Sequence, residues 1–262
     1  MLIPENTYIN LYHDQRNQHL VRYEKNKKFL TGFGVVLFPP DLEWGTPLRS
    51  ESGYTFYPLK PDTSRISKKL KRQTTIVYPK DAGLILLELG IHSGSHVAEV
   101  GSGSGAMTLI LSNMVGNEGR VYSFERREEF LNLARDNHKK YGLFDNVEFT
   151  LRDIAQEGFS DIAVDAVFID VPEPWSIIHH AYRILNGGHP TGILSPNIEQ
   201  IQESHRVMEE TGFIRLRTFE IMQREMMIRP RKTRPRERAI IHTGYLLFGD
   251  KIEKIETETS NG

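Results

Sequence analysis

The chain has 262 residues with 33 basic and 34 acidic side chains, a formal net charge of −1, and no cysteine. Without cysteine it has no disulfide framework, thiolate nucleophile or cysteine-ligated zinc site. Its apolar runs are far shorter than the about 18 residues that a membrane span requires, and residues 1–40 lack a cationic start followed by an apolar run. We therefore expect a soluble, cytoplasmic protein, and the length allows either one large domain or one large and one small domain.

The first part of the chain contains short β-favouring runs separated by prolines. These runs cover residues 8–12, 19–23, 34–38 and 53–57. Short runs with proline-containing turns between them predict a small all-β domain over residues 1–62. Residues 63–80 start as a polar, basic stretch, and we expect a linker there that contains one exposed helix.

From residue 81 to residue 250, helix and strand patterns alternate. Predicted helices cover residues 81–89, 106–114, 128–141, 175–185 and 198–211, and predicted strands cover residues 96–100, 120–124, 147–151, 163–169, 192–195, 214–222 and 240–248. The alternation predicts an α/β domain with a mostly parallel sheet and helices on both faces. The last two strands have no helix between them, so we expect them to be antiparallel. The polar tail, residues 251–262, is predicted to be disordered.

A glycine-rich loop follows the first strand of this domain. Gly101, Gly103 and Gly105 alternate with serines, and a predicted helix begins at Ala106. Glycines let the backbone turn sharply and let a ligand approach the main chain at the carboxyl edge of a parallel sheet. Glu125, at the end of the next strand, could accept a hydrogen bond from a ribose hydroxyl. The spacing alone fits NAD, S-adenosylmethionine (SAM) or a simple tight turn.

Acidic residues also follow the third and fourth strands. Asp153 is placed to accept from an adenine amino group while Ile154 packs against the ring, or to cap a helix. Asp170 begins the segment Asp170-Val-Pro-Glu-Pro-Trp175, whose two prolines fix the backbone. A glycine loop and acids at successive strand ends fit SAM-dependent methyltransferases better than NAD enzymes.

Five motifs follow one another between residues 72 and 248. They read Thr75-Ile-Val-Tyr-Pro-Lys-Asp81, Glu99-Val-Gly-Ser-Gly-Ser-Gly105, Asp170-Val-Pro-Glu-Pro-Trp175, Ser195-Pro-Asn-Ile-Glu-Gln-Ile-Gln202 and His242-Thr-Gly-Tyr-Leu246. In this order they resemble the tRNA (adenine-N1) methyltransferase family, whose members modify adenine 58 of the T-loop. The resemblance implies a small N-terminal β domain followed in the chain by a Rossmann-like SAM-dependent methyltransferase fold. It also implies a tRNA substrate and a homotetramer. The chain has Thr75 and Ile241 where the family commonly has glutamine and glycine.

The resemblance also implies roles for individual residues. The residues expected to bind SAM are Val77, Glu99, Gly101, Gly103, Ser104, Gly105, Ala106, Met107, Glu125, Asp153, Ile154 and Asp170. Asp170 is the expected catalytic residue, because a carboxylate that accepts from the adenine N6 amino group stabilises the charge that N1 methylation creates. Tyr78 is the candidate platform for a base swung out of the T-loop. His242 is a candidate for positioning that base, with a purely structural role as the alternative.

A basic tract separates the last two predicted strands. Residues 224–238 contain six arginines and one lysine against two glutamates, a net charge of +5. As an isolated charge run this would be a solvated loop, but beside the expected active site we predict an arm that contacts tRNA phosphates. The residues assigned to this contact are Arg231, Lys232 and Arg234. A local excess of this size removes the objection that a near-zero net charge raises against an RNA partner.

Other functions stay open at this point. A SAM-dependent methyltransferase acting on a protein or small molecule shares the glycine loop, but does not explain the Asp170 motif or the basic tract. A non-catalytic tRNA-binding partner subunit explains the tract, but does not need the full set of cofactor residues. The sequence also leaves open whether adenine 57 is a second target. We expect no metal site, since Gly94 interrupts the helical spacing of His92 and His96.

Overall fold

The computed structural model describes residues 1–73, 75–237, 239 and 241–253. They form two compact units, Met1–Lys69 and a second that begins at Leu70. Helix α1 (Thr63–Lys69) belongs to the first unit, so the boundary falls inside the predicted linker, residues 63–80. Within the described ranges, no helix is both long and apolar enough to cross a membrane.

The first unit is built from short antiparallel strands. They are β1 (Tyr8–Tyr12), β2 (Gln18–Arg22), β3 (Lys28–Thr31), β4 (Gly34–Leu37), β5 (Leu48–Arg49) and β6 (Thr55–Leu59). One sheet has the order β2-β1-β6-β5, and β3 pairs with β4. Buried Tyr23, Phe38 and Phe56 belong to its core. The predicted β character is confirmed. Strands β3 and β5 were not predicted, because β3 has only two apolar residues and β5 has only two residues in all.

The second unit alternates helices and strands, as predicted. Its helices are α2 (Pro79–Glu88), α3 (Ala106–Val115), α4 (Glu128–Tyr141), α5 (Ile154–Glu157), α6 (Ile178–Ile184) and α7 (Ile198–Thr211). Its strands are β7 (His96–Val100), β8 (Arg120–Glu125), β9 (Val147–Leu151), β10 (Ala166–Ile169), β11 (Pro190–Ser195), β12 (Phe213–Glu220), β13 (Met226–Met227), β14 (Arg234–Pro235) and β15 (Tyr245–Lys251).

Seven of these strands form one sheet in the order β12-β15-β11-β10-β7-β8-β9. Strands β11, β10, β7, β8 and β9 pair in parallel, while β15 is antiparallel to both of its neighbours. The mostly parallel sheet with an antiparallel last strand is therefore confirmed. The strand order reverses between β7 and β10, and such a switch point opens a crevice at the carboxyl ends of the strands.

Apolar side chains cover both faces of this sheet. Along β10, Val167 and Ile169 belong to one buried cluster, and Ala166 and Phe168 belong to the other. The alternation follows from the two-residue period of a strand. Because both faces are buried, the strand reads as a continuous apolar run, which is typical of a parallel sheet.

Some element bounds differ from the predictions. A short 3-10 turn, Pro174–Ser176, precedes α6, so this helix begins later than predicted. The last strand runs from Tyr245 to Lys251 instead of 240–248, and Ile240 lies outside the described residues. Lys251, predicted to be part of a disordered tail, is buried and donates from Nζ to the carbonyl of Leu185 at 2.8 Å. Residues 254–262 of that tail also lie outside the described residues.

Candidate active site

A cavity of about 360 Å³ opens at the carboxyl edge of the parallel strands. The parallel register sets Val100 beside both Phe124 and Ile169, so the residues that follow β7, β8 and β10 meet at this edge. The predicted cofactor residues in its wall are Val77, Glu99, Gly101, Gly103, Ser104, Ala106, Met107, Glu125, Asp153, Ile154 and Asp170. The structure therefore brings together nearly all of the residues that the sequence assigned to SAM.

The glycine loop fits closely between its neighbours. Gly101 has a φ of +97°, and a Cβ atom there would overlap the carbonyl oxygen of Asp170. Gly105 caps the start of α3 with a φ of +76°, and a Cβ there would lie 3.0 Å from the Cα of Ala134 in α4. Gly105 is not among the residues in the cavity wall. The close approach of Ala134 and the positive φ explain why the residue at position 105 is a glycine. Its contact with the cofactor stays a prediction.

Glu99 is a buried carboxylate in the cavity wall. Its Oε2 accepts from the hydroxyls of Thr108 and Ser123, each at 2.5 Å. Its Oε1 is buried and has no hydrogen-bond partner among the described residues. Burial raises the pKa of Glu99 to about 7 against the opposing effect of the two hydrogen bonds, and the nearby charges of Asp170 and Glu125 add to the rise.

Glu125 and Asp153 lie at the ends of the next two strands. Glu125 accepts from the amide of Gly103 at 3.2 Å and from the amide of Arg127 at 3.1 Å, so it joins the glycine loop to the start of α4. Asp153 accepts from the amide of Ala155 at 3.1 Å and thereby caps α5. Asp153 also lines the cavity, so capping the helix does not remove it from the place where a contact with adenine was predicted.

Asp170 follows β10 directly, and its amide donates to the carbonyl of Val100 at 2.9 Å. Burial raises the pKa of its carboxyl to about 6, and the charge of Glu125 adds to the rise. The loop after Asp170 is fixed from α7, because Gln200 Nε2 donates to the carbonyl of Pro172 at 2.9 Å. Ser195 in turn donates to Gln200 Oε1. Sequence reasoning missed this support, since no local pattern links residues 172 and 200.

Three arginines in the cavity wall were also missed. Arg126, Arg127 and Arg152 line it beside the acidic strand ends. Arg127 Nε lies 3.2 Å from Glu125 Oε1, and Arg126 Nη1 lies 4.0 Å from Asp153 Oδ2. Their position in the chain, next to Glu125 and Asp153, was the sequence signal that could have placed them in the wall. They offset part of the negative charge at this edge.

Tyr78 and His242 lie outside the cavity wall. Tyr78 is partly buried and immediately precedes α2, next to the wall residue Val77. The Nδ1 of His242 lies 2.7 Å from Glu220 Oε1, and its Nε2 lies 3.2 Å from the carbonyl of Pro196. The contact with Glu220, followed by that with Pro196, raises the pKa of His242. Both ring nitrogens of His242 therefore have partners within the protein, which agrees with the purely structural role that is the alternative for this residue.

The basic tract lies on the segment between β12 and β15, which we call the arm and define as residues 222–242. Arg231, Lys232 and Arg234 are exposed, and Arg234 pairs with Glu237 at 2.7 Å. Strands β13 and β14 form a small hairpin within the arm, where the sequence predicted only a loop. None of the three basic residues lines the cavity. In the described part of the chain, no group of three or more His, Asp or Glu side chains is arranged to hold a metal ion.

Comparison with known proteins identifies the family. The model of the family described as "tRNA methyltransferase complex GCD14 subunit" matches residues 55–234. The chain belongs to this family. It is 35% identical over 259 residues to the tRNA (adenine(57)-N(1)/adenine(58)-N(1))-methyltransferase TrmI of Methanocaldococcus jannaschii, covering 89% of this chain and 91% of that one.

Solved structures agree with this assignment. A SAM-dependent O-methyltransferase from Thermotoga maritima aligns with a TM-score of 0.87 and 34% identity, covering 98% of this chain and 97% of that one. The tRNA (m1A58) methyltransferase TrmI from Aquifex aeolicus aligns with a TM-score of 0.80 and 29% identity, covering 97% and 100%. The family resemblance and the Rossmann-like methyltransferase fold predicted from the sequence are confirmed.

Proposed function

We propose that this chain is a tRNA (adenine-N1)-methyltransferase that uses SAM to methylate adenine 58 of the T-loop, with adenine 57 as a second target. The observation that carries the proposal is that the glycine loop, Glu99, Glu125, Asp153 and Asp170 line one cavity in a member of the GCD14 family. The Methanocaldococcus relative is named for methylation at both positions, and its similarity to this chain over most of both sequences supports the same pair of targets.

The cavity fits SAM in size and in charge. Its volume lies within the range of sites for small molecules. A ligand with a sulfonium and an ammonium group is matched by the carboxylates in the wall, and the free Oε1 of Glu99 is available to a cationic donor. Glu125 would accept from ribose hydroxyls, and Asp153 from the adenine amino group, with Ile154 against the ring. The glycine loop lets these groups reach the main chain.

When bound, SAM supplies a methyl group attached to a positively charged sulfur. Adenine N1 has an in-plane lone pair and no proton at neutral pH, so the protein needs to align N1 but does not need to deprotonate it. With a pKa of about 6, Asp170 is mostly ionised at pH 7. Its carboxylate would accept from the exocyclic N6 amino group and stabilise the positive charge that forms on the ring. Asp170 is therefore assigned as the catalytic residue.

The tRNA would be held outside the cavity. The T-loop adenine must leave its stack to reach the cofactor, and an aromatic platform offsets the loss by about 1 to 3 kcal/mol per base. Tyr78, next to the wall residue Val77, is assigned to this platform. The exposed Arg231, Lys232 and Arg234 of the arm would contact phosphates, which positions the RNA without reading its sequence.

We also propose that the enzyme is a cytoplasmic homotetramer. Exposed apolar side chains of the arm, Met222, Met226, Ile228 and Ile241, support an interface between subunits. Light scattering coupled to size-exclusion chromatography tests the assembly, and a monomeric mass would remove this part of the proposal. A tRNA substrate supports the cytoplasmic location, which cell fractionation tests.

One assay separates the candidate functions. The protein is incubated with methyl-labelled SAM and unmodified tRNA, and the labelled nucleoside is then identified and mapped. We expect N1-methyladenosine at positions 58 and 57, with guanosine substitutions at positions 57 and 58 as matched control transcripts. Label on a protein, on a small molecule or on a ribose oxygen would instead favour another methyltransferase, such as the O-methyltransferase that the Thermotoga structure is named for. SAM binding without transfer to any substrate would indicate a partner subunit.

A further inference from the structure

A buried ion pair lies at the start of α2. The side chains of Lys80 and Asp81 are only 5% and 1% exposed, and Lys80 Nζ lies 2.7 Å from Asp81 Oδ1. An ammonium group has three protons to donate. The other two acceptors come from distant parts of the chain, because Nζ also lies 2.6 Å from Thr243 Oγ1 and 2.7 Å from the carbonyl oxygen of Ile221.

Thr243 closes the network. Its hydroxyl donates to Asp81 Oδ2 at 2.6 Å while it accepts from Lys80. Both carboxylate oxygens and all three ammonium protons therefore have a partner. Asp81 also lies in the first turn of α2, where a negative charge is favoured by the helix dipole. We call these three side chains, together with the carbonyl of Ile221, the clamp.

The clamp holds both ends of the arm. Ile221 follows the last residue of β12, and Thr243 lies two residues before the start of β15. The arm therefore leaves and returns at the same buried ion pair. On the other side of the clamp, the carbonyl of Tyr78 accepts from the amides of Asp81 and Ala82, each at 2.9 Å. The clamp thus joins the ends of the arm to the segment that carries Tyr78 and the cavity wall.

Stability alone gives no reason for this arrangement. Removing two charges from water is costly, and well-packed apolar residues in their place are often as stabilising or more so. A fully paired network does provide a fixed geometry, because moving any one of its groups would leave a buried partner without a hydrogen bond. We propose that Lys80, Asp81 and Thr243 are positioning residues that fix the arm relative to the cavity and so act on RNA binding without acting on the cofactor. The role of the clamp in RNA binding rests on the proposed function.

The first test uses Thr243→Val and Thr243→Ser. Valine keeps the shape but removes the hydroxyl, while the Lys80–Asp81 pair stays in contact, so the unit is expected to fold. We expect the apparent KM for tRNA to rise on the order of tenfold, with kcat and the Kd for SAM within about twofold of wild type. Serine restores the hydroxyl and is expected to restore the KM. Thr211→Val, which removes another buried hydroxyl of this unit, is the matched control.

A second measurement needs no RNA. Trypsin cleaves after basic residues that proline does not follow, and Arg231 and Lys232 in the arm meet this condition. Cleavage there is expected to be on the order of tenfold faster in Thr243→Val than in wild type, and normal in Thr243→Ser and Thr211→Val. Lys80→Met combined with Asp81→Leu removes both charges at once and is expected to behave like Thr243→Val. This variant keeps the test decisive should the valine variant not fold.

Several results would overturn the clamp. These are unchanged proteolysis and tRNA KM in Thr243→Val, no recovery in Thr243→Ser, or a loss of SAM affinity as large as the loss for tRNA. A wild-type protein that does not methylate tRNA would instead overturn the proposed function. The proteolysis of the arm would still decide whether the clamp fixes it.

Discussion

Replacing Glu99 by glutamine is expected to stabilise the ligand-free protein while weakening its binding of SAM. The Oε2 atom of Glu99 accepts from Thr108 and Ser123, and the buried Oε1 has no partner among the described residues. Glutamine has the same shape, so its amide oxygen can keep both hydrogen bonds while its NH2 group takes the place of Oε1. The substitution therefore removes a buried charge and leaves the contacts in place.

The size of the effect follows from the pKa of Glu99, which burial raises from 4.5 to about 7. Below pH 4.5 the group is protonated in both the folded and the unfolded chain, so it costs no stability. Between pH 4.5 and 7 the unfolded chain ionises first, so stability falls as the pH rises, and above pH 7 the loss is complete. A pKa shift of this size corresponds to about 3 kcal/mol in the free energy of unfolding. For a unit of this length, that is on the order of 10 °C in Tm.

Thermal unfolding of the ligand-free wild type and of Glu99→Gln, between about pH 5 and pH 8.5, measures this difference. The two Tm values should be similar at the acid end and diverge as the pH rises, with the variant higher. Glu148→Gln, at an exposed position of β9, is the control and should show no such divergence. Titration calorimetry should show SAM binding weakened on the order of tenfold to a hundredfold, because a charged acceptor is lost. A variant less stable than wild type at pH 8, or one with wild-type SAM affinity, would refute the reasoning.

Four further predictions concern the cavity and the arm. Asp170→Asn should still bind SAM but methylate tRNA on the order of a hundredfold more slowly, because it lacks the charged acceptor. In wild type, kcat/KM should fall as the pH drops through about 6, where Asp170 of the free enzyme takes up a proton, and an unchanged kcat/KM at pH 5 would contradict this. Exchanging Arg231, Lys232 and Arg234 for glutamine should weaken tRNA binding and flatten its salt dependence by about 0.7 to 0.9 per lost phosphate contact, while an unchanged slope would exclude them. Gly101→Ala should abolish SAM binding, because its Cβ would overlap the Asp170 carbonyl, and normal SAM titration of that variant would show that the loop can adjust.

That the residues assigned to SAM come together could be predicted because their signals are local. Each of Gly101, Glu125, Asp153 and Asp170 lies within two residues of the end of a strand. Parallel pairing then places all strand ends at one edge, so the order of elements is enough to bring these residues together. The glycines are equally local, since Gly101 needs a positive φ.

The supporting contacts could not be predicted for the opposite reason. Lys80 and Asp81 are adjacent, opposite charges at a helix start, a pattern that usually indicates solvent exposure. Only the contacts with Ile221 and Thr243 make their burial possible, and these partners are far away in the sequence. The last strand was misplaced for a related reason. The apolar Ile241 extends the strand pattern, yet the strand starts only after Gly244, whose φ of +151° redirects the chain.

The distribution of charge also explains how one protein can handle a cationic cofactor and a polyanionic substrate. Glu99, Glu125, Asp153 and Asp170 line the cavity, where burial raises the pKa values of Glu99 and Asp170 and the charge of Glu125 adds to both. Arg126, Arg127 and Arg152 offset part of this charge, and the carboxylates still supply acceptors for a sulfonium and an ammonium group. The exposed basic residues of the arm lie outside the cavity wall, so the proposed phosphate contacts and the proposed cofactor contacts are on different surfaces. Discrimination between cofactor and backbone thus follows from where the charges lie, in a chain whose net charge is −1.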